Sequence, residues 1–166
     1  MASAPTYTPI ATQTLGSATA TITFSSIPQT YTDLIVVASV QSGGASQMNL
    51  TFNGDTGNNY SKTALYGNGS SALSLRGTNN PAITVAFTDS SPNYSPSIIQ
   101  IMNYANTTTY KSVLIRTSYS GEVDAAVGLW RGNTGSAAQA ITSITLANGS
   151  NYSSSSTFTL YGIASA

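Results

Sequence analysis

The chain lacks two side chains on which much protein chemistry depends, because its 166 residues include no cysteine and no histidine. These absences exclude an imidazole base, a thiol nucleophile and zinc or iron–sulfur sites of the usual kind. Charged residues are scarce as well. The chain has five Lys and Arg and five Asp and Glu, and these make up 6% of it, against roughly 25% in an average soluble domain. A net charge of zero offers no electrostatic basis for binding nucleic acid or an anionic membrane.

No segment has the pattern of a targeting or membrane-spanning sequence. The first residues, MASAPTY, contain no basic region and no apolar core, so we do not expect a secretory signal. No apolar run approaches the ~20 residues of a transmembrane helix. A chain of this length fits a single domain.

Uncharged polar residues dominate instead: 26 Ser, 24 Thr, 13 Asn and 6 Gln. Disorder combines low hydrophobicity with high net charge, and here the charge is nearly absent. Threonine and β-branched residues alternate repeatedly, which is typical of strands with one solvated face. Clusters of Gly, Asn and Pro separate these runs and favour turns. We therefore predict an all-β antiparallel sandwich, jelly-roll-like, with nine or ten strands; the clearest runs cover 19–24, 34–40, 48–52, 83–87, 97–102, 110–119, 123–131, 141–146 and 157–163.

Residues 1–17 differ from the rest, because they carry two prolines among Thr and Ala. We predict an extended N-terminal arm over 1–17 and a β-sandwich domain over 18–166. Two interpretations of the arm remain open: a loosely ordered terminus, or a segment that lies on a neighbouring subunit.

No catalytic, cofactor-binding or metal-binding residue is predicted, and no cofactor is expected. Glu122 and Asp124 share one face of a predicted strand, but two carboxylates at this spacing do not straddle a glycosidic bond. We expect a solvated strand edge there, or an ion pair with Arg116 or Arg131. A serine nucleophile would need one of the two lysines, Lys62 or Lys111, as its base, and no G-x-S-x-G segment is present.

Two further features favour structural interpretations. Residues 53–59, NGDTGNN, resemble the start of a calcium loop, yet the twelfth position would be alanine rather than glutamate, so a turn is predicted. The ten tyrosines suit either sugar and protein recognition or ordinary sheet faces. Trp130 is expected to anchor the core or an interface.

Five segments spread over most of the chain resemble small β-rich virion proteins of tailed bacteriophages, especially those of cyanobacteria and aquatic bacteria. They are ITFSSIPQTYTDL at 22–34, FNGDTGNNYS at 52–61, MNYANTTTYKS at 102–112, VGLWR at 127–131 and STFTLYGI at 156–163. The resemblance implies a β-sandwich or jelly roll on the virus particle, commonly a trimer. It carries over no functional residue.

The resemblance implies one of two roles in a virion assembled in the host cytoplasm. The first is a non-enzymatic capsid decoration (cement) protein that binds the major capsid protein as a homotrimer. The alternative is a tail-fibre or receptor-binding module, which contacts other fibre components and a host surface glycan. Such a binding tip would gather Tyr and Asn at one end of the sandwich, for instance from residues 53–60, 93–94 and 148–152. A glycan hydrolase is disfavoured because acidic residues are so few.

Overall fold

The structure is a computed structural model that describes residues 6–90 and 92–164, and these residues form strands and turns without a helix. Accordingly, no described segment is a helix long and apolar enough to cross a membrane. Twelve strands follow one another in the described part of the chain: β1 Tyr7–Thr14, β2 Thr19–Phe24, β3 Asp33–Ser42, β4 Ser46–Phe52, β5 Tyr60–Gly67, β6 Ala72–Asn80, β7 Ile83–Ser90, β8 Ser95–Ile101, β9 Lys111–Tyr119, β10 Glu122–Trp130, β11 Ile144–Tyr152 and β12 Thr157–Ile163.

The strands form a large and a small sheet that are joined through β3. The large sheet has eight strands in the order β1-β12-β3-β8-β9-β10-β5-β6, and every neighbouring pair is antiparallel. The small sheet has four strands in the order β2-β11-β4-β7. The carboxyl end of β3 also joins the small sheet, where Gln41 and Ser42 pair with β7 in parallel and Ser42 pairs with Tyr152 of β11. The predicted all-β sandwich is confirmed.

Period-two alternation along the strands builds the core between the sheets. In β4, for example, Met48, Leu50 and Phe52 are fully buried while the residues between them are partly exposed. The two sheets approach closely where Ile83 of β7 packs on Gly128 of β10. A Cβ atom at Gly128 would lie 2.8 Å from the Ile83 side chain, so the absence of a side chain permits this approach.

Each of the nine predicted runs contains a strand, and the structure has three further strands that lie outside these runs. The additional strands are β1, β5 and β6. In β6 almost every residue is exposed on both faces, so the alternation that reveals a half-buried strand is missing. In β5 the inward positions include Lys62, which interrupts the apolar pattern.

The segment predicted as an extended arm lies in the structure as strand β1. It is extended, and it adds to the large sheet of its own chain by pairing with β12 over Tyr7–Thr14. Pro9 has no N–H to donate, and the register shifts between Pro9 and Ala11. Residues 1–5 of the predicted arm lie outside the described residues.

The pair Asn148-Gly149 follows the predicted run 141–146, and its residue types predict a turn there. This prediction is wrong, because β11 continues through both residues to Tyr152. The physical reason is that Asn148 is buried, and its amide donates to the Thr88 hydroxyl at 2.9 Å. The strand accommodates the irregular residues with a register shift between Ala147 and Tyr152 and a positive φ at Asn151.

The tight contact between Gly162 and Tyr31 leads to a stability prediction. A Cβ atom at Gly162 would lie 2.3 Å from the Tyr31 ring, so Gly162→Ala must displace that ring. We expect a loss of about 1–3 kcal/mol in the free energy of unfolding, measured by urea denaturation. Gly16→Ala is the matched control, since nothing lies within 4 Å of the added carbon. Equal stability of the two variants would contradict this packing.

Buried tyrosines lead to a prediction on alkaline stability. Burial raises the pKa of both Tyr60 and Tyr152 above the ordinary value of a phenol. The unfolded chain therefore releases these protons first, and the free energy of unfolding should fall as pH rises above about 10. The Tyr152 hydroxyl has no hydrogen-bond partner among residues 6–90 and 92–164.

Tyr152→Phe should accordingly keep or raise stability at pH 7, by up to about 1 kcal/mol, and make the alkaline loss shallower. Thermal unfolding between pH 7 and 11 measures both effects. Tyr7→Phe, which removes an exposed hydroxyl, should leave the stability at pH 7 unchanged. An unaltered alkaline slope in Tyr152→Phe would show that Tyr152 does not contribute to it.

Candidate interaction surface

The two outer faces of the sandwich differ in chemistry. The outer face of the small sheet is polar and rich in threonine. Its side chains bond to one another across strands: the Thr23 and Thr145 hydroxyls are 3.0 Å apart, and the Thr84 hydroxyl donates to the Asn49 amide oxygen at 2.8 Å. The polar side chains of this face therefore have hydrogen-bond partners within the fold, and the face remains hydrated.

The outer face of the large sheet is apolar. Six aliphatic residues project from it with exposed fractions between 36% and 66%, which we call the apolar face: Val37, Leu65, Ile98, Leu114, Val123 and Val127. They lie on five adjacent strands, β3, β8, β9, β10 and β5. An exposed and contiguous apolar patch of this kind marks an interaction site in most soluble proteins.

Strand register places these residues beside one another. Val37 of β3 is opposite Ile98 of β8, and Leu114 of β9 is opposite Val127 of β10. Leu65 of β5 is opposite Ala125 of β10. Directly opposite residues on one face have Cβ atoms about 5 Å apart, so each pair makes continuous apolar surface.

A shallow depression of about 560 Å³ lies at the edge of the apolar face, close to Gly67. Gly67 is opposite Val123 on one side and Ala72 on the other, so small side chains leave room here. The depression is lined mainly by outward residues of β5, β6 and β10, with Leu65 and Val123 as its large apolar members.

The β5–β6 hairpin extends beyond the small sheet. β7, at the edge of the small sheet, contacts β5. β6 pairs with β5 alone in the described part of the chain, and its Leu73 and Leu75 are each half exposed. β5 is anchored by its pairing with β10, so β6 is the least buried strand of the hairpin, and a partner that covered it would bury further apolar area.

The exposed charges on the outer side of the large sheet are those of arginine, while Asp33, at the start of β3 on this side, is partly buried and accepts a hydrogen bond from the Asn103 amide. Arg116 lies on the outer face between Ile98 and Ala125, which are opposite it on the two neighbouring strands. Arg76 is exposed on β6, opposite Thr63. The apolar face therefore combines aliphatic side chains with arginine, the composition enriched in protein–protein interfaces.

None of the five side-chain carboxylates is exposed. Asp55, Asp89 and Asp124 are buried, while Asp33 and Glu122 are partly buried and each accepts a hydrogen bond. The acidic groups are thus used within the fold, and the exposed formal charges are those of arginine.

The expected ion pairs of the two neighbouring acids are wrong. Asp124 pairs with Lys62 at 3.4 Å, and Glu122 accepts a hydrogen bond from the Tyr119 hydroxyl. Neither binds Arg116, because the register places Arg116 opposite Ala125 and hence on the other face of the sheet. Burial and the Glu122 hydrogen bond raise the pKa of Tyr119.

The predicted turn at residues 53–59 is confirmed, and Asp55 organises it. Asn53 and Gly54 have φ values of 54° and 69°, which turns accommodate. The Asp55 carboxylate accepts hydrogen bonds from the Gly57 amide at 2.8 Å and from the Trp130 indole at 2.7 Å. Trp130 is fully buried and packs beside Phe52 and Tyr60 in the core. Within residues 6–90 and 92–164, no three His, Cys, Asp or Glu side chains come together as a metal site.

Both lysines are buried and make hydrogen bonds within the fold. The Lys111 ammonium donates to the carbonyl oxygens of Asn106 at 2.5 Å and Thr109 at 2.6 Å, and burial lowers its pKa. Lys62 donates to Asp124. Each lysine thus has a structural partner other than a serine hydroxyl.

The loops that a receptor-binding tip would bring together lie at opposite ends of the sandwich. Asn53 follows the last residue of β4 and bonds to Ala140 and Thr142. Residues 148–152 lie near the start of β4, where the Gly43 amide donates to the Ser150 carbonyl. The Asn93 carbonyl accepts from the Gln41 side chain at this same end.

Comparison with known proteins adds no relative: no protein-family model, no curated protein and no solved structure matches this chain. The sequence contained part of the signal for the apolar face. Residues 34–40 are apolar at successive positions, a pattern that predicts a central strand with two apolar faces, and β3 does lie centrally between β12 and β8. Its outward Val37 is nevertheless 40% exposed, because no layer of the described chain covers that side.

The buried ion pair below the apolar face allows a double-mutant test. Lys62→Met removes the one partner that the described residues give the buried Asp124 carboxylate, whose second oxygen accepts no hydrogen bond from them, so we expect a loss of about 3–5 kcal/mol in the free energy of unfolding. Lys62→Met combined with Asp124→Leu should recover most of this loss, since no unpaired charge remains. Urea unfolding of the four proteins gives the coupling energy. Additive losses would contradict an energetically coupled pair.

Proposed function

We propose that this chain is a non-enzymatic virion structural protein that decorates the capsid as a homotrimer. The observation that carries the proposal is the contrast between the two outer faces. The outer face of the small sheet is polar, and its side chains bond to one another, whereas the outer face of the large sheet is apolar, carries arginine and is not covered by the described chain. A domain of this design offers one side to water and the other to a protein partner.

The resemblance to β-rich phage virion proteins supplies the setting for this proposal. Two of the five similar segments overlap strands, residues 127–131 with β10 and residues 156–163 with β12, while the other three lie mostly in the connections between strands. Trp130 and Phe158 in the two strand segments are buried, which gives these segments a role in packing. A shared packing pattern is what related structural proteins need to retain.

The energetics suit a protein that stabilises a shell by binding it. A protein that binds only the assembled shell adds its binding free energy to shell stability by mass action. The surface carries little charge and no histidine, so that stabilisation should depend only weakly on pH near neutrality.

Copy number tests the proposal. Quantitative mass spectrometry of purified particles of a virus that encodes this chain should find hundreds of copies, comparable with the major shell protein. A few to some tens of copies would overturn the capsid role and favour the tail-fibre or receptor-binding alternative. Absence from the particle would overturn a virion role altogether. Native mass spectrometry of the free protein tests the trimer.

A further inference from the structure

We infer that the apolar face docks on an apolar surface bearing carboxylates that belongs to a different virion protein, and not on a second copy of this chain. The inference rests on the proposed function for the identity of the assembly, and it adds the site and the chemistry of the partner. Its observations are the six aliphatic residues of the apolar face, the two exposed arginines, and the side-chain carboxylates, of which three are buried and two are partly buried.

The apolar face is large enough for a specific but modest interface. Five strands about 4.8 Å apart, with side chains over about 20 Å along them, present roughly 500 Å², or about 1,000 Å² in total once a partner covers them. That area is at the lower limit for specific protein–protein contacts. A single copy should consequently bind weakly, and several copies linked in one oligomer would bind much more tightly through their shared attachment.

The charge of the face selects an acidic partner. Arg116 sits among the aliphatic residues of the face, opposite Ile98, and Arg76 lies on the adjoining hairpin. An interface that covered these guanidinium groups without a carboxylate would leave charges desolvated and unpaired, at a large cost in binding free energy. A partner that places carboxylates opposite them gains charge-assisted, bidentate hydrogen bonds.

A second copy of this chain does not provide that complement. Two apolar faces related by a twofold axis would bring arginines of like charge into the same interface. The rest of the described surface offers no fully exposed side-chain carboxylate, because Asp55, Asp89 and Asp124 are buried, and the other two are partly buried and already accept hydrogen bonds. The homotrimer of the proposed function therefore uses other surfaces.

A charge-swap at the centre of the face tests both parts of the inference. Val127 is 53% exposed, so Val127→Glu and Val127→Lys should both fold. Thr21→Glu is the matched control, since Thr21 is an exposed strand position on the opposite, polar face. The probe is a purified particle from which this protein has been stripped, and binding is measured by co-sedimentation over a range of protein concentrations.

We expect Val127→Glu to weaken binding about tenfold or more, because it places like charge against the partner's carboxylates. Val127→Lys should bind at least about tenfold more tightly than Val127→Glu, and Thr21→Glu should match the wild type. Arg116→Gln should weaken binding and reduce its dependence on salt concentration.

Each result that would contradict the inference has a different consequence. Wild-type binding by Val127→Glu would overturn the docking face, and equal losses from Glu and Lys would overturn the acidic partner. Loss of the free protein's oligomeric state in Val127→Glu, measured by analytical ultracentrifugation, would identify a second copy as the occupant and so overturn the inference. Failure of the wild-type protein itself to bind stripped particles would instead contradict the proposed function.

Discussion

The large sheet contains twice as many strands as the sheet that covers it, and most features of the surface depend on this inequality. Each strand sends alternate side chains to either side, so eight strands produce an inner face wider than four strands can bury. β6 consequently remains exposed on both sides, with Leu73 and Leu75 half in water. The outer side of the large sheet has no covering layer from the described chain, because the sandwich consists of two sheets only, and its aliphatic residues stay exposed.

The interior compensates for a shortage of core-forming residues by using polar groups as fixed partners. Asp55 illustrates this arrangement, since its carboxylate binds a loop amide and the indole of Trp130 at once. Asp89 does the same at the opposite end of the sandwich, where it accepts from the amide of Ser120 and from the Ser95 hydroxyl. Buried polar groups that are fully bonded in this way favour one arrangement of the loops over others.

Much of the fold could be predicted from local patterns, whereas the site could not. Strands such as β2 and β4 can be predicted because one face is buried and the other contacts solvent, so apolar and polar residues alternate, as in Met48, Asn49 and Leu50. β6 has no buried face, so no periodicity could reveal it. The exposure of Val127 and Leu114 depends on whether a further layer covers the outer side of the large sheet, which is a global property of the fold. The ion pair of Asp124 with Lys62 likewise depends on register between strands distant in sequence.

Because the chain has so few charged residues, the position of each one has a large effect on the charge of the surface. A chain with equal numbers of acidic and basic residues would ordinarily display both signs on its surface. Here three acids are buried and two are partly buried, with backbone amides, an indole, a tyrosine and one lysine as their partners, and the second lysine is also internal. The fully exposed charged side chains are arginines, which lie on the side of the molecule that carries the aliphatic residues. Net neutrality thus coexists with a local cationic and apolar surface, because charge balance is a property of the whole chain and recognition is a property of one face.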